Sequence, residues 1–308
     1  MSILVVGSVA LDDVDTPFGQ RREALGGAAV YFGLAASYFT EVRLVGVVGE
    51  DFPDQHVELM AARGIDLAGL QVVAGETFRW GGKYGYDFNA RETTYTNLGV
   101  FADFQPQIPE RFRRTENVFL ANIAPRLQLD VLLQVERPAM TALDTMNYWI
   151  ERTPAELREA IESVDILLIN DSETRQLAGE PVLRKAAARI LELGLDLLVV
   201  KKGEDGVVTF CGEGIFAVPG LPLDSIIDPT GAGDSFAGGF LGYLAATGDR
   251  SPEGMRRATI YGSVMGSLCC EAFSTEKLAD LEPQEIEKRF QEYKQLTHFE
   301  YLPIALNA

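Results

Sequence analysis

The sequence predicts an α/β protein, with a mostly parallel sheet flanked by helices on both faces and a small second β-sheet. Three observations support this prediction. The chain has 308 residues, of which 47% are apolar, enough to bury a large core. Short apolar runs alternate with helical patterns along most of its length, which is typical of parallel strands joined by helices. Two polar, turn-rich regions, at about 12–25 and 70–101, interrupt this alternation.

The apolar runs are short and bounded by turn residues, as expected for buried strands. They lie at 2–8, 42–49, 117–121, 165–170 and 195–201. Helical patterns lie between and after these runs, at 26–39, 51–64, 153–163 and 237–248. The helix at 153–163 opens with Thr153, Pro154 and Glu156, which predicts a capping box with proline at the first helical position.

The two interrupting regions have the pattern of β-hairpins. In the second region, polar and aromatic residues alternate with a period of two, and turns are indicated at Gly81-Gly82 and at 88–90. Two separate insertions of strand character predict a small sheet beside the main domain, which either covers a site or forms a dimer contact. An ordinary surface hairpin is the alternative.

The charge balance restricts the classes of partner. Acidic residues outnumber basic residues by 45 to 27, which gives a net charge of −18. Such a surface repels nucleic acid and anionic membranes but does not forbid a local phosphate pocket. No apolar stretch approaches the roughly 18 residues of a membrane span, and the first apolar run lacks a basic leader. We therefore expect a cytoplasmic protein that binds small molecules, with neither nucleic-acid nor membrane partners.

The cysteines and histidines exclude several kinds of site. The three cysteines, Cys211, Cys269 and Cys270, do not form a disulfide framework or a zinc-binding spacing, so we expect reduced thiols. The two histidines, His56 and His298, lie far apart in the sequence. This argues against a zinc site with several histidines and against a Ser-His-Asp triad.

The most informative segment is DPTGAGDSF at 228–236, which leads into a helix rich in small residues. The amides of Gly231, Ala232 and Gly233 are expected to point outward, unpaired, at the helix N-terminus, where they would bind an anion. A carboxylate beside a bound phosphate is unfavourable unless it has a chemical function. Asp234 is therefore the candidate to accept a proton from a hydroxyl that attacks phosphorus. The alternative is that Asp234 only interacts with the helix dipole.

Five segments occur in the order found in the PfkB-type carbohydrate kinases, the ribokinase family. They are GSVALD at 7–12, Gly26-Gly27 before a helix, NDSE at 170–173, KKGEDG at 201–206 and DPTGAGDSFAGGF at 228–240. The last is highly specific, and the chain resembles this family over nearly its whole length. The resemblance implies a ribokinase-like fold over 1–308, with a small β-sheet lid formed by about 12–25 and 70–101. It also implies transfer of the γ-phosphoryl group of ATP to an alcohol of a sugar or nucleoside.

The resemblance assigns roles to residues near the transferred group. Asp234 stands where the family has its catalytic base, and the amides of 231–233 stand where the family forms its anion hole. Asn170 and Glu173 match a motif that holds Mg²⁺ largely through water, in keeping with the preference of Mg²⁺ for oxygen ligands and retained waters. For Glu173, an acid at the start of a helix is the alternative.

The resemblance also implies nucleotide and cation contacts. Lys202, Gly203 and Gly206 lie in a turn that resembles the nucleotide-binding turn, although an ordinary hairpin is the alternative. Thr230 and Ser274 are further nucleotide-binding candidates.

Asp228 and Ser274 are candidate ligands of a monovalent cation, but Cys270 and Glu271 stand where the family often has glycine. Potassium therefore stays an open alternative beside the cofactors ATP and Mg²⁺.

The acceptor site is implied by residues of the first segments. Asp12 stands where the family binds two substrate hydroxyls, and a carboxylate can accept both bonds from a vicinal diol. Gly26 and Gly27 stand at the substrate-side backbone of the lid junction. The family often reads GGKGAN here, whereas this chain continues with Ala28 and has Tyr31 at the asparagine position, which argues against ribose.

The lid region supplies further acceptor candidates. By alternation, Phe78, Trp80 and Tyr84 are predicted to share a face, as suits a sugar ring or a nucleobase; packing within the lid is the alternative. Arg79, Arg91 and Asn97 are polar candidates, and the arginines suit an anionic substrate. Asp144 and Asn147 follow an apolar run and are weaker candidates for the same site.

Two alternatives to a sugar kinase stay open at this point. One is a nucleoside kinase with the same fold, and the other is a non-catalytic protein that binds a sugar or a nucleotide. A homodimer formed through the lid is also expected.

Overall fold

The structure is a computed structural model that describes residues 1–212, 214–298 and 300. Its strands are β1 (Ser2–Val6), β2 (Ala10–Thr16), β3 (Gly19–Gly26), β4 (Glu41–Gly49), β5 (Ile65–Val73), β6 (Phe78–Tyr84), β7 (Arg91–Asn97), β8 (Asn117–Leu120), β9 (Met140–Asp144), β10 (Ile166–Asn170), β11 (Leu197–Lys201), β12 (Val207–Cys211) and β13 (Gly214–Val218).

The helices are α1 (Ala28–Ala36), α2 (Asp54–Ala62), α3 (Pro125–Leu132), α4 (Asn147–Arg152), α5 (Pro154–Glu162), α6 (Asp171–Ala178), α7 (Leu183–Leu191), α8 (Ala232–Thr247), α9 (Pro252–Cys269), α10 (Glu276–Ala279) and α11 (Pro283–Thr297). Short 3-10 turns lie at Gly99–Asp103, Glu110–Phe112 and Gly203–Asp205. In the described ranges, none of these helices is long and apolar enough to cross a bilayer.

The large sheet has nine strands in the order β13-β12-β11-β10-β9-β8-β1-β4-β5. The strands from β11 to β5 are parallel, and β12 and β13 are antiparallel. Successive residues of β1 enter two different cores: Ile3 and Val5 pack with α1, α8 and α9, whereas Leu4 and Val6 pack with α3, α5 and α7. A strand that is buried on both faces has an uninterrupted apolar run, and the predicted α/β architecture is confirmed.

The small sheet has four strands in the order β3-β2-β6-β7. The two hairpins come from the two interrupting regions and meet through the parallel pair β2 and β6. Its strands cover 10–26 and 78–97, so the second hairpin is shorter than the 70–101 expected. Residues 70–73 instead belong to β5, the edge strand of the large sheet.

The capping box predicted at Thr153 is wrong. Helix α5 does begin at Pro154, but the Thr153 side chain makes no cap hydrogen bond. The reason is that Thr153 also ends α4, and its amide donates to the carbonyl of Trp149 at 3.0 Å. Thr153 is both the residue that follows α4 and the residue before α5, so both helices constrain its backbone conformation.

Candidate active site

Polar side chains end three neighbouring parallel strands of the large sheet. Asp144 ends β9, Asn170 ends β10 and Lys201 ends β11, and the last two are register partners. The N-terminus of α8 faces this edge, since a Cβ on Gly233 would lie 3.3 Å from Lys201 Nζ. In open α/β sheets, ligands bind outside the carboxyl ends of the strands, so we expect a ligand-binding site at this edge of the large sheet.

Residues 231–233 form the start of α8. Gly231 caps the helix with φ of 77°, and a Cβ there would lie 2.3 Å from the ring of Tyr31, so glycine is required. In the described part of the chain, the amides of Gly231 and Gly233 make no hydrogen bond to another backbone group. These free amides and the helix dipole form an anion site.

Ala232 departs from the sequence-based expectation of three unpaired amides. Its amide donates to the carbonyl of Pro229 at 3.1 Å, because the chain turns back on itself just before the helix. We refer to the Gly231 and Gly233 amides together as the amide cup.

Asp234 lies in the first turn of α8, next to the amide cup. Burial is the main cause that raises the pKa of Asp234 to about 7, and the Asp144 charge acts in the same direction. Lys201 and Arg91 act to lower that pKa. A general base is most effective when its pKa lies near the working pH, so this carboxylate is suited to accept a proton at neutral pH.

Lys201 is a site residue that the sequence analysis missed. Its ammonium donates to Asp144 Oδ2 at 2.7 Å, and the two side chains are only 19% and 6% exposed. Burial acts to lower the pKa of Lys201, but the charges of Asp144 and Asp234 outweigh it, and the pKa lies above its usual value. The lysine is therefore charged.

The resemblance pointed to the neighbouring residue Lys202 instead. The ammonium of Lys202 lies 3.6 Å from the exposed carboxylate of Asp205, within the turn that follows β11. The signal for Lys201 was its position as the last residue of a buried parallel strand. Asp144 was only a weak candidate for the acceptor site in the sequence analysis, and in the structure it pairs with Lys201. Asn147, the other weak candidate, is exposed at the start of α4.

Asn170 and Glu173 form a capping box at the start of α6. Asn170 Oδ1 accepts from the Glu173 amide at 2.8 Å, and Glu173 Oε2 accepts from the Asn170 amide at 3.1 Å. Glu173 also belongs to the charged cluster, because burial and Asp144 raise its pKa and Lys201 lowers it. Glu173 therefore caps the start of α6, which positions its carboxylate at the edge of the site, and its magnesium role stays a prediction.

Within the described residues, no three His, Cys, Asp or Glu side chains are arranged to hold a metal ion by themselves. Mg²⁺ usually keeps several waters and binds through one or two carboxylates together with substrate phosphates. The Glu173 carboxylate beside an anion site fits such an ion.

The turn between β11 and β12 is a tight antiparallel connection. Gly203 and Gly206 have φ of 59° and 91°, and the Lys202 amide donates to the Gly206 carbonyl at 2.8 Å. A Cβ on Gly203 would lie 2.0 Å from Oδ1 of Asn89, which belongs to the connection between β6 and β7. The small sheet therefore reaches across to this turn.

Asp228 and Ser274 connect the segment before α8 to the small sheet. Asp228 is 1% exposed, and its two carboxylate oxygens accept from the amides of Thr230 and Ser274, each at 2.9 Å. The Ser274 hydroxyl donates to the Leu25 carbonyl in β3. Asp228 and Ser274 therefore both make hydrogen bonds that hold the protein together at this junction.

Asp12 lies in β2 and is 4% exposed. A Cβ on Gly26 would lie 2.0 Å from Asp12 Oδ2, and a Cβ on Gly27 would lie 2.4 Å from the Ser8 carbonyl oxygen. Gly26 therefore lets the backbone at the end of β3 lie against the Asp12 side chain, and Gly27 lets it lie against the Ser8 backbone. Burial, with the charges of Asp228 and Asp234, raises the pKa of Asp12 to about 8.

The inner face of the small sheet carries Asp12, Phe78, Trp80 and Tyr84. Trp80 is the register partner of Asp12, and Phe78 is the partner of Ala10, so the predicted shared face is confirmed. The Thr230 hydroxyl donates to the Tyr84 hydroxyl at 3.2 Å, which joins this face to the segment before α8.

Arg91 lies with its guanidinium carbon 5.1 Å from the centre of the Trp80 ring. Its charge lowers the pKa of both Asp12 and Asp234, so it faces the same space.

Arg79 and Asn97 lie on the opposite, outer face, as register partners. Arg79 forms ion pairs with Glu23 at 2.5 Å and with Asp51 at 2.9 Å. The Asn97 side chain bonds the Gly99 amide and Glu76. An acceptor would have to displace these partners, so we leave both residues out of the acceptor site.

The profile of one protein family, the pfkB family carbohydrate kinases, matches residues 3–280 of this chain. Over 251 residues the chain is 30% identical to the cytidine kinase of Thermococcus kodakarensis, which covers 79% of this chain and 88% of that protein. It is 29% identical to the ATP-dependent ribose-1-phosphate kinase of Halopiger xanaduensis, with 81% of each chain covered.

A solved structure has the same fold. The nucleoside kinase of Methanocaldococcus jannaschii, described as an archaeal member of the ribokinase family, superposes with a TM-score of 0.78 at 22% identity, over 94% of this chain and 98% of that one.

Proposed function

The chain belongs to the pfkB family of carbohydrate kinases and is an ATP-dependent phosphotransferase, and we propose that Asp234 is its general base. Members of this family use ATP with Mg²⁺ and phosphorylate a sugar or a nucleoside. We further propose that the described residues form one kinase domain in which the small sheet is the lid of the acceptor site; residues 301–308 of the expected range 1–308 lie outside the described residues.

The proposed reaction is a direct in-line transfer. Asp234 accepts the proton of the acceptor hydroxyl, whose oxygen forms the new bond to the γ-phosphorus of ATP. The bond between that phosphorus and the β,γ-bridging oxygen breaks, and its electron pair leaves with ADP. Such a transfer depends on positioning and charge stabilisation more than on covalent catalysis by the protein.

The amide cup stabilises the transferring group in this proposal. Two free amides at the positive end of α8 are aimed at one place and need no rearrangement during the reaction. Mg²⁺, held through Glu173 and Asn170 largely by way of water, would neutralise phosphate charge. Closure of the small sheet over the acceptor would exclude water and so limit hydrolysis of ATP.

One observation carries the proposal: a carboxylate with a pKa of about 7 lies in the first helical turn beside the amide cup. We expect Asp234→Asn to lower kcat by at least about a thousandfold with ATP affinity unchanged within a few fold, as for loss of a general base. The measurement is steady-state kinetics with calorimetric ATP binding.

The matched control is Asp54→Asn, which changes an exposed acid in the first turn of α2 and should keep full activity. Near-normal turnover by Asp234→Asn would remove Asp234 from the role.

For the acceptor, we propose a nucleoside. The buried Asp12 carboxyl group suits the vicinal diol of a ribose. Its register partner Trp80 can stack on a base once the Arg91 guanidinium, 5.1 Å from the ring centre, moves aside. The similarity to a cytidine kinase over most of the chain supports this choice.

A sugar phosphate is the second candidate. The Arg91 guanidinium stacks on Trp80 and faces the acidic groups of the site, where it can bind an anionic group. The similarity to a ribose-1-phosphate kinase favours this candidate. Assays with cytidine, inosine, ribose 1-phosphate, ribose and inositol, scored by detection of the phosphorylated product, separate the two. Turnover confined to the neutral sugar or the inositol would contradict both.

Potassium would act through Asp228. Its buried carboxylate accepts from two amides that flank the start of the site, so a cation there would adjust the segment that leads to the amide cup. Stimulation of kcat by K⁺ over tetramethylammonium, at constant ionic strength, tests this.

A homodimer through the small sheet, the proposed lid, is a further proposal. Strand β7 is exposed along its whole length and leaves one edge of that sheet open to pairing. Sedimentation analysis tests it. The three free cysteines suit a reducing cytoplasm.

A further inference from the structure

The site contains a buried positive charge that the mechanism above does not use. Lys201 ends β11, and its ammonium donates to Asp144. The three carboxylates of Asp144, Asp234 and Glu173 favour its charged form against the effect of burial. A lysine surrounded by acids in this way keeps its proton at neutral pH.

The ammonium lies beside the amide cup. A Cβ on Gly233 would lie 3.3 Å from Lys201 Nζ, and the Gly233 amide forms no hydrogen bond to another backbone group in the described chain. The end of β11 and the start of α8 therefore present an ammonium and free amides to the same space.

We propose that Lys201 is a further catalytic residue whose ammonium contacts the transferring phosphoryl group beside the Gly233 amide, with Asp144 as its positioning residue. The inference rests on the proposed function of this site. Lys201 keeps its proton throughout, while the acceptor proton passes to Asp234 and the electron pair of the breaking bond leaves with ADP.

The charge balance of the cluster argues for this role. Lys201 is bound to Asp144, and the charges of Asp234 and Glu173 also act on it, so the acids outnumber the ammonium before a triphosphate arrives. A triphosphate beside Asp144 and Asp234 is unfavourable unless cations offset it. Mg²⁺ would offset part of this charge, and Lys201, beside the amide cup, is placed to offset more.

A purely structural ion pair explains less. A buried ion pair adds little stability, because desolvation of both charges cancels most of their attraction. One acid would suffice to pair a structural lysine, whereas Lys201 also interacts with Asp234, the proposed base, and with Glu173 at the magnesium position.

The test compares Lys201→Met with Lys201→Arg, which keeps the charge. Since Met leaves the buried Asp144 carboxylate without its counter-charge, the double variant Lys201→Met/Asp144→Asn removes both charges and tests the role if the single variant fails to fold. The matched control is Lys277→Met, which breaks a bond between another partly buried lysine and Glu285, outside the site.

The first readout is kcat with saturating substrates. We expect Lys201→Met and the double variant to lose at least about a hundredfold, the scale of losing one group that stabilises the transition state. Lys201→Arg should recover at least tenfold of that loss, and Lys277→Met should stay within twofold of wild type.

The second readout is binding without turnover, measured by calorimetry with the β,γ-imido analogue of ATP and with ADP, each with Mg²⁺. A contact to the third phosphate predicts that Lys201→Met weakens the analogue about tenfold or more relative to ADP, as for loss of a hydrogen bond to a charged group. If Lys201 had only a structural role, Lys201→Met would change the affinities for the analogue and for ADP by the same factor.

Two results separate this inference from the proposed function. A folded Lys201→Met, or double variant, with kcat within threefold of wild type and an unchanged ratio of analogue to ADP affinity would overturn the role of Lys201. If Asp234→Asn has meanwhile lost activity, only this inference fails. Retained activity in Asp234→Asn would instead remove Asp234 as the general base and leave the test of Lys201 unaffected.

Discussion

The two halves of the site are built differently. The phosphoryl half consists of strand ends of the large sheet and the start of α8, and its groups are backbone amides and buried charges such as Lys201 and Asp144. The acceptor half is a separate sheet with one fully exposed edge strand, joined to the rest of the protein by packing of Leu11 and Leu25 and by hydrogen bonds such as Ser274 to Leu25. The phosphoryl half therefore fixes the chemistry, and the acceptor half selects the alcohol.

The largest loss of kcat is expected from adding one Cβ atom at Gly231, at the start of α8. Gly231→Ala places a Cβ 2.3 Å from the Tyr31 ring at φ of 77°, so the amide cup must shift. We expect kcat to fall by about a thousandfold, since amides stabilise the transition state only when correctly placed.

The control is Gly179→Ala. Gly179 has φ of 59° at the end of α6, and a Cβ added there would meet no atom within 4 Å, so only stability should fall. Equal kcat losses in both glycine variants would mean that backbone strain, not the amide cup, causes the loss.

The next effect concerns Asp12, at the junction of the two halves. Asp12→Asn changes the group that accepts both hydroxyl bonds, and we expect kcat/KM for the alcohol to fall about a hundredfold while ATP affinity is kept, the size of two lost hydrogen bonds. Asp13→Asn, whose side chain points to the outer face and accepts from the Glu23 amide, is the control. Loss of ATP affinity instead would place Asp12 in the phosphoryl half.

A smaller effect is expected within the acceptor half. Trp80→Ala removes the ring proposed to stack on a base, and we expect KM for a nucleoside to rise about tenfold, within the range for one stacked base, with kcat little changed. Tyr86→Ala, an aromatic residue of the same hairpin that is 92% exposed, should leave KM unchanged. An equal rise in KM for ribose 1-phosphate would argue that Trp80 packs the sheet rather than a base.

The smallest effect tests the contact between the halves. Asn89 Nδ2 donates to Glu204 at 3.0 Å, and the Glu204 amide donates to Asn89 Oδ1 at 3.3 Å. These exposed bonds are worth about 1 kcal/mol, so Asn89→Ala should raise KM for both substrates about threefold. In a double-mutant cycle with Glu204→Gln, additive effects would show that the two residues do not act together.

The same contrast explains what the sequence predicted. The large sheet could be predicted because strands buried on both faces need continuous apolar runs, which the sequence shows directly. The anion site could be predicted because the glycines and the helix start at 228–236 are local features. The inner face of the small sheet followed from simple alternation.

The failures concern partners distant in sequence. Lys201 pairs with Asp144, 57 residues away, and Arg79 is held by Glu23 and Asp51, 56 and 28 residues away. The pattern of the sequence does not show which charges meet after folding. In addition, Lys201 and Lys202 are adjacent and chemically alike. The sequence does not show that β11 ends at Lys201, and this strand end decides which of the two lysines lies in the site.

The most direct test of the account is the pH dependence of kcat/KM for the acceptor. Only the ionised carboxylate of Asp234 accepts a proton, and burial raises its pKa to about 7, so the rate should rise with pH through a limb near 7. Asp12→Asn removes the other raised carboxyl and should keep that limb. A profile that is flat between pH 6 and pH 8 in both proteins would contradict Asp234 as the base.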